Sequence, residues 1–156
     1  MAGGELLFST ELTLRDNWKL PVKATYTLTH SAFTTDFTSG FAQFESVSRG
    51  DALPYLPVHQ GSLSVSLDTK SASLGMSSEL RSGMRDSAGS GPLTDRDVPG
   101  MALLHLSGRL ALSDQLTVYA TVQNLLNAAP IASWRPLGAR PVAPRMMRIG
   151  LKGTLK

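Results

Sequence analysis

The sequence predicts an all-β chain, folded as an antiparallel up-and-down meander of about seven strands. Three observations lead there. Apolar side chains recur with period two along most of the chain, the signature of strands with one apolar face. The connections between these segments alternate short, long, short, long, short, long. The face opposite the apolar one is mostly Ser and Thr, and charged residues make up only 17% of the chain, against about 25% in ordinary soluble domains.

The first segment, ELLFSTELTLR, sets Leu6, Phe8, Leu12 and Leu14 against Ser9, Glu11, Thr13 and Arg15. DNW then reads as a tight turn. KLPVKATYTLTH continues with Val22, Ala24, Tyr26 and Leu28 opposite Lys23, Thr25, Thr27 and Thr29, and Pro21 sits near its start, where a missing N–H does least harm. A long irregular stretch follows, from Ser31 to Pro57. From His59, Leu63, Val65 and Leu67 oppose Ser62, Ser64, Ser66 and Asp68 up to a turn at DTKS. ASLGMSSELRS answers with Ala72, Leu74, Met76 and Leu80 against Ser73, Ser77, Glu79 and Arg81. A Gly, Ser and Asp-rich loop occupies Gly83 to Gly100. MALLHLSGRLALS sets Leu104, Leu106, Leu110 and Leu112 against His105, Ser107, Arg109 and Ala111, and DQ turns the chain. LTVYATVQN opposes Leu116, Val118, Ala120 and Val122 to Thr117, Tyr119, Thr121 and Gln123. The last segment sets Ile149, Leu151 and Leu155 against Arg148, Lys152 and Thr154.

Length and composition limit the alternatives. A chain of 156 residues suits one domain. The absence of cysteine excludes disulfides and thiolate metal sites, and His30, His59 and His105 lie too far apart for a local metal motif. No run of about 18 apolar residues predicts a transmembrane helix, and MAGGELLFST lacks the pattern of a secretory signal peptide. A transmembrane strand escapes both tests, because its apolar residues alternate with polar ones. No G-x-S-x-G elbow or His-acid pairing points to catalysis. GMRDSAGSG lacks the Lys and Ser/Thr of a phosphate loop, while Asp95 and Asp97 alone are too few oxygen ligands for Ca²⁺. No cofactor, metal or nucleic-acid partner is expected.

Alternation by itself is shared by a transmembrane barrel wall and by a soluble or surface β-sandwich that binds a partner through its loops. The Ser/Thr-rich polar face and the segregation of short turns from long loops favour the barrel. Seven antiparallel strands do not close upon themselves, so the chain is expected to be a piece of a larger barrel.

Four segments in order carry a family resemblance: GDALPYLPVHQ (50–60), GMRDSAGSGPL (83–93), VYATVQNLLN (118–127) and RPLGARPVAPRMMRIGLK (135–152). Together they resemble the C-terminal barrel region of TonB-dependent outer-membrane receptors, in wording closest to the ferric citrate receptor branch. NLLN stands where that branch has NLFD, and Leu155 where family chains usually carry an aromatic. The resemblance implies a 22-stranded transmembrane barrel of which residues 1–156 form the C-terminal portion, without the plug domain. It further implies a place in the cell outer membrane in contact with its lipid, a ferric chelate as transported ligand, and TonB engaged only through the plug; enzymatic activity is not expected.

The last acidic residue is Asp114, and every charged side chain after it is positive. Within that segment RPLGARPVAPR places Arg135, Arg140 and Arg145 on a proline-stiffened loop. Guanidinium forks suit oxyanions, so these arginines are the candidate ligand-binding residues. Pairing with acidic residues on loops outside the chain is the plainer alternative, and lipopolysaccharide phosphate at the barrel rim is another. Phe33, Phe37, Phe41, Phe44 and Tyr55 either line a substrate vestibule or pack their long loop upon itself.

Overall fold

The computed structural model describes residues 1–154, so Leu155 and Lys156, the end of the last apolar alternation, lie outside the described residues. Eleven strands are present: β1 (Ala2–Arg15), β2 (Trp18–His30), β3 (Phe37–Thr38), β4 (Ser46–Val47), β5 (His59–Asp68), β6 (Ala72–Arg81), β7 (Met101–Ala111), β8 (Leu116–Gln123), β9 (Ile131–Ser133), β10 (Arg140–Pro141) and β11 (Met146–Gly153). Seven of them form one sheet in the order β1-β2-β5-β6-β7-β8-β11, with every pair antiparallel. The four short strands make two small hairpins within the long loops, β3 with β4 and β9 with β10. The stretch expected to be irregular after His30 thus contains one of these hairpins, too short to register as period-two alternation.

Connections of two, three and four residues join the strands at one end of the sheet, at 16–17, 69–71 and 112–115. At the other end they are 28, 19 and 22 residues long, at 31–58, 82–100 and 124–145. Short turns hold the register because a slip of one residue would send every side chain to the opposite face. Thr69 fixes one of them: its hydroxyl donates to the Ala72 carbonyl and accepts from the Ala72 N–H, both at 2.9 Å.

Register carries the alternation intact across the sheet. Tyr26, Gly61, Leu80 and Ala102 continue the row begun by Leu6, while Val65, Met76, Leu106, Val122 and Met147 continue that of Val22. The opposite face shows rows such as Ser9, Lys23, Ser64, Ser77 and His105. It is tied laterally by side chains: Thr25 Oγ1 lies 2.6 Å from Ser62 Oγ, and Lys19 Nζ 2.6 Å from Glu11 Oε1. Leu7, Met101 and Leu103 interrupt it as apolar exceptions.

No described residue covers the leucine face. Leu6 on the first strand, Leu74 in the middle and Ile149 on the last are 70%, 58% and 80% exposed, so the face is bare from edge to edge. A β-sandwich needs a second sheet over these side chains, and the described residues supply none; the sandwich alternative is therefore corrected to a single-layer wall. β1 and β11 each leave one ladder of backbone groups without a strand partner.

A close approach pins the last pair. Gly150 on β11 faces Tyr119 on β8, and the tyrosine ring lies across the glycine where any side chain would stand. Replacing Gly150 by Ala forces the ring out of this position; because Tyr119 is 45% exposed the ring can swing aside, and the displacement costs about 0.5–1 kcal/mol. Urea unfolding in detergent micelles is expected to register that loss in Gly150→Ala, and to register almost none when Tyr119 is already alanine.

Candidate functional site: the woven loop layer

The residues that behave as an ordinary core lie outside the main sheet. Val47, Met84 and Val98 are the buried hydrophobic side chains among the described residues, and Ser31, Asp51 and Asn124 the buried polar ones. All six belong to the long-loop end.

Each loop is first closed upon itself. In 31–58, Phe33 exchanges backbone bonds with the opposite limb: its N–H donates to the Asp51 carbonyl, and the Gly50 N–H donates to its own carbonyl, both at 2.9 Å. Gly50 turns the chain there at a φ of 96°, in the left-handed region open to glycine. The Asp51 carboxylate accepts from the Ser48 N–H at 2.8 Å. Phe33 also meets Phe37 and Phe44 edge-on, with ring centroids 5.4 and 6.1 Å apart. These three phenylalanines pack the loop upon itself, whereas Phe41 remains exposed.

In 82–100, the N–H and C=O groups of Met84 and Val98 bond reciprocally at 2.9 Å. Asp97 caps this loop by accepting from the Thr94 N–H at 2.8 Å and the Asp86 N–H at 3.1 Å. It also faces Arg85 Nη1 at 3.9 Å. In 124–145, Asn124 adopts a φ of 50° and Asn127 a φ of 52°, conformations that asparagine tolerates better than most residues. The buried Asn124 amide donates to the carbonyls of Ala128 at 2.7 Å and Ala143 at 2.9 Å, and accepts from the Ala128 N–H at 2.9 Å. Hydrogen bonds are worth about 1 kcal/mol each net, so NLLN works as a staple joining the two ends of this loop.

The loops are then bound to one another. Asp86 is the hub: it accepts from the Tyr55 hydroxyl on the first loop and from Arg135 Nε on the third, the latter at 3.0 Å. Arg135 Nη2 reaches Asp86 at 2.9 Å and Ser87 Oγ at 3.0 Å. Trp134 Nε1 donates to the Asp97 carbonyl at 3.0 Å, and the Tyr55 N–H donates to the Arg85 carbonyl at 2.9 Å. One carboxylate and one tyrosine thus join three loops. Beside this junction opens a cleft of about 460 Å³ walled by Phe41, Gln43, Tyr55, Ser133, Arg135 and Pro136.

The three candidate arginines are not gathered into one cluster. Arg135 is half-buried on Asp86, so its acidic partner lies within the chain and not on loops beyond it. Arg140 is exposed on β10, opposite Ser133. Arg145 is exposed at the end of the loop, its N–H donating to Asn127 Oδ1 at 2.9 Å. Asp86 and Trp134 were not singled out by the sequence, where they stand 48 residues apart without a motif. The histidines stay separate, His59 with Tyr26 at 2.7 Å and His105 under the Asn124 N–H at 3.2 Å. Among the described residues no three His, Asp or Glu side chains gather to hold a metal ion.

A one-layer antiparallel wall with short turns at one end and a woven loop layer at the other defines a segment of an up-and-down β-barrel. A profile of the family described as TonB dependent receptor-like, beta-barrel, matches residues 2–125, and the chain belongs to that family. The siderophore receptor PiuA from Acinetobacter baumannii is similar in structure, with a TM-score of 0.75 and 17% identity over 97% of this chain and 21% of that one. The ferric-catecholate import receptor Fiu from E. coli, in its closed form, gives a TM-score of 0.58 and 14% identity over 97% of this chain and 27% of that one. This chain therefore spans 21% of the length of the first and 27% of the second. No curated protein matches it in sequence.

Asp97 gives the loop layer a definite acid response. Burial pushes its carboxyl up, but the Thr94 and Asp86 N–H groups, the Thr94 hydroxyl and the Arg85 charge outweigh burial and hold it below the ordinary 3.8. Because the folded value is depressed, its stabilisation is fully present above 3.8 and is lost as the pH falls from there through the folded value. Hydrogen exchange of residues 82–100 is expected to stay slow above that range and to accelerate below it. Asp97→Asn is expected to lack this acid step.

Proposed function

We propose that this chain is the C-terminal part of the barrel wall of an outer-membrane, TonB-dependent receptor that imports an anionic ferric chelate of the ferric citrate kind. The observation that carries the reading is the leucine face, bare across all seven strands of the main sheet. In water such a face is an aggregation surface; in a bilayer it is the side that meets lipid, while the Ser/Thr side meets a hydrated interior. Among the described residues no helix is long and apolar enough to cross a membrane; in this reading it is the strands that span it.

The ends of that face support the same placement. Trp18 opens β2 at the short-turn end, and Tyr26 lies in its long-loop half, with Leu28 beyond it on the same face. Eight residues separate them, about 27 Å along the strand and about 20 Å of bilayer depth at a tilt of ~40°. That depth is close to the apolar band of about 25 Å between aromatic girdles.

The loop layer is then the outer rim. Arg140 and Arg145 are exposed there, and Arg135 flanks the cleft, a disposition that favours capture of an anion. The printed descriptions of the two structural relatives, siderophore receptor and ferric-catecholate import receptor, support iron chelates as the ligand class. In this reading the chain supplies wall and rim, a plug carries the coupling to TonB, and the protein transports without catalysing a reaction.

The cysteine-free sequence allows a direct test of the wall. Single cysteines at Leu104, His105, Leu106 and Ser107, in outer-membrane vesicles carrying the protein, are expected to react alternately: 104 and 106 with a lipid-soluble maleimide, 105 and 107 with a water-soluble one. Uniform labelling by the water-soluble reagent would overturn the reading.

Chelate capture is tested separately by ferric citrate binding to the same vesicles. Arg140→Ala with Arg145→Ala is expected to weaken binding about three- to tenfold at low salt and less at high salt. Unchanged affinity removes these two from the ligand role.

A further inference from the structure

Charge is shared unequally along the polar face. On β1, β2, β5 and β6, Glu5, Glu11, Asp68 and Glu79 are matched in number by Arg15, Lys19, Lys23 and Arg81. Strands β7, β8 and β11 carry Arg109, Arg148 and Lys152 and not one acidic residue. All three cations are exposed, and none makes an ion pair among the described residues.

Register places them around one tyrosine. Arg109 stands opposite Tyr119, and Tyr119 opposite Gly150, with Arg148 and Lys152 two residues to either side of that glycine. Strand rise and spacing put Arg148 and Lys152 about 13 Å apart and Arg109 about 10 Å across from their strand. Their pairing partners on β8 carry hydroxyls, Tyr119 for Arg109, Thr121 for Arg148 and Thr117 for Lys152, and Ser107 stands two residues from Arg109 on β7.

Such spacing decides what kind of anion this face takes. One carboxylate group bridges two of the cations only if both long side chains lean together, so with the side chains extended from the wall each position is a separate, shallow contact. Yet each cation lies within about a Debye length, ~8–10 Å, or little more, of the next, so an anion leaving one is already attracted by its neighbour. Passage needs sites of this kind, favourable enough to enter and weak enough to leave. A multiply charged small anion gains most, because its several carboxylates exchange between guanidinium, ammonium and hydroxyl donors one at a time.

We propose that the polar face of β7, β8 and β11 is a stepping track for a small polycarboxylate, citrate free or as its iron chelate, with Arg109, Arg148 and Lys152 as the successive weak contacts. The inference rests on the reading that this face looks into the barrel interior.

Its test is calorimetric titration of citrate, without iron, into the protein in detergent micelles, on an Arg140→Ala, Arg145→Ala background that removes the exposed rim arginines. Weak binding on the order of millimolar is expected, and at least a fivefold loss is expected when Arg109, Arg148 and Lys152 are all replaced by Gln. The charge-retaining set Arg109→Lys, Arg148→Lys and Lys152→Arg is expected to keep binding within about twofold of the background. Should the triple Gln variant fail to fold, Arg148→Gln alone is expected to lower affinity about twofold. Absence of citrate binding in the background, or equal binding with and without the three cations, overturns the stepping track. If the alternating cysteine pattern on β7 persists in either case, the barrel reading stands and only this inference falls; if that pattern itself is lost, the barrel reading falls.

Discussion

Seven strands share one hydrogen-bonding ladder, and most of the leucines point to the same side because the ladder holds its register, apart from a bulge between Thr13 and Arg15 beside the first turn. A shift of one residue between any two neighbours would bring leucines into the polar face and serines into the apolar one. Turns of two, three and four residues leave little room for such a shift. The ring of Tyr119 seated on Gly150 and the Thr25 and Ser62 hydroxyl pair mark the register again inside the sheet. The separation of an apolar side from a Ser/Thr side, on which the proposed function depends, follows from this alignment.

The molecule inverts the usual arrangement of burial. An ordinary domain hides its apolar residues where its sheets pack, whereas here the sheet hides almost none and the long loops contain Val47, Met84 and Val98. The loops need that interior. A barrel rim facing water gains nothing from lipid, so each loop must find its own order from backbone pairs such as Met84 with Val98 and from side-chain caps such as Asp97. Stability within the described residues is therefore divided, with the hydrogen-bonded ladder holding the wall and small local cores holding the loop layer.

The wall was legible in the sequence because period two is a local property: Leu63, Val65 and Leu67 against Ser62, Ser64 and Ser66 declare a strand without reference to anything distant. All seven long strands follow that reading to within a few residues, the first beginning three residues earlier than its alternation because Ala2 to Gly4 carry no contrast. The loop layer was not legible in the same way. Asp86 lies 31 residues from Tyr55 and 49 from Arg135, and only folding brings the three together. The short hairpins β3–β4 and β9–β10 have too few residues to show a period. Asn124 was visible as part of a motif, yet its work in closing a loop depends on the Ala143 carbonyl 19 residues away. The arginine-rich segment stood out by composition, but composition does not say that Arg135 turns inward to a carboxylate while Arg140 turns outward.

Because Asp86 accepts from Tyr55 and Arg135 at once, the three long loops cannot respond to force one at a time. Tension applied to the first is handed through a phenol and a carboxylate to the second, and through a guanidinium to the third. The rim thus has the mechanics of a laced collar, slack nowhere and tightened everywhere by a tug at any point.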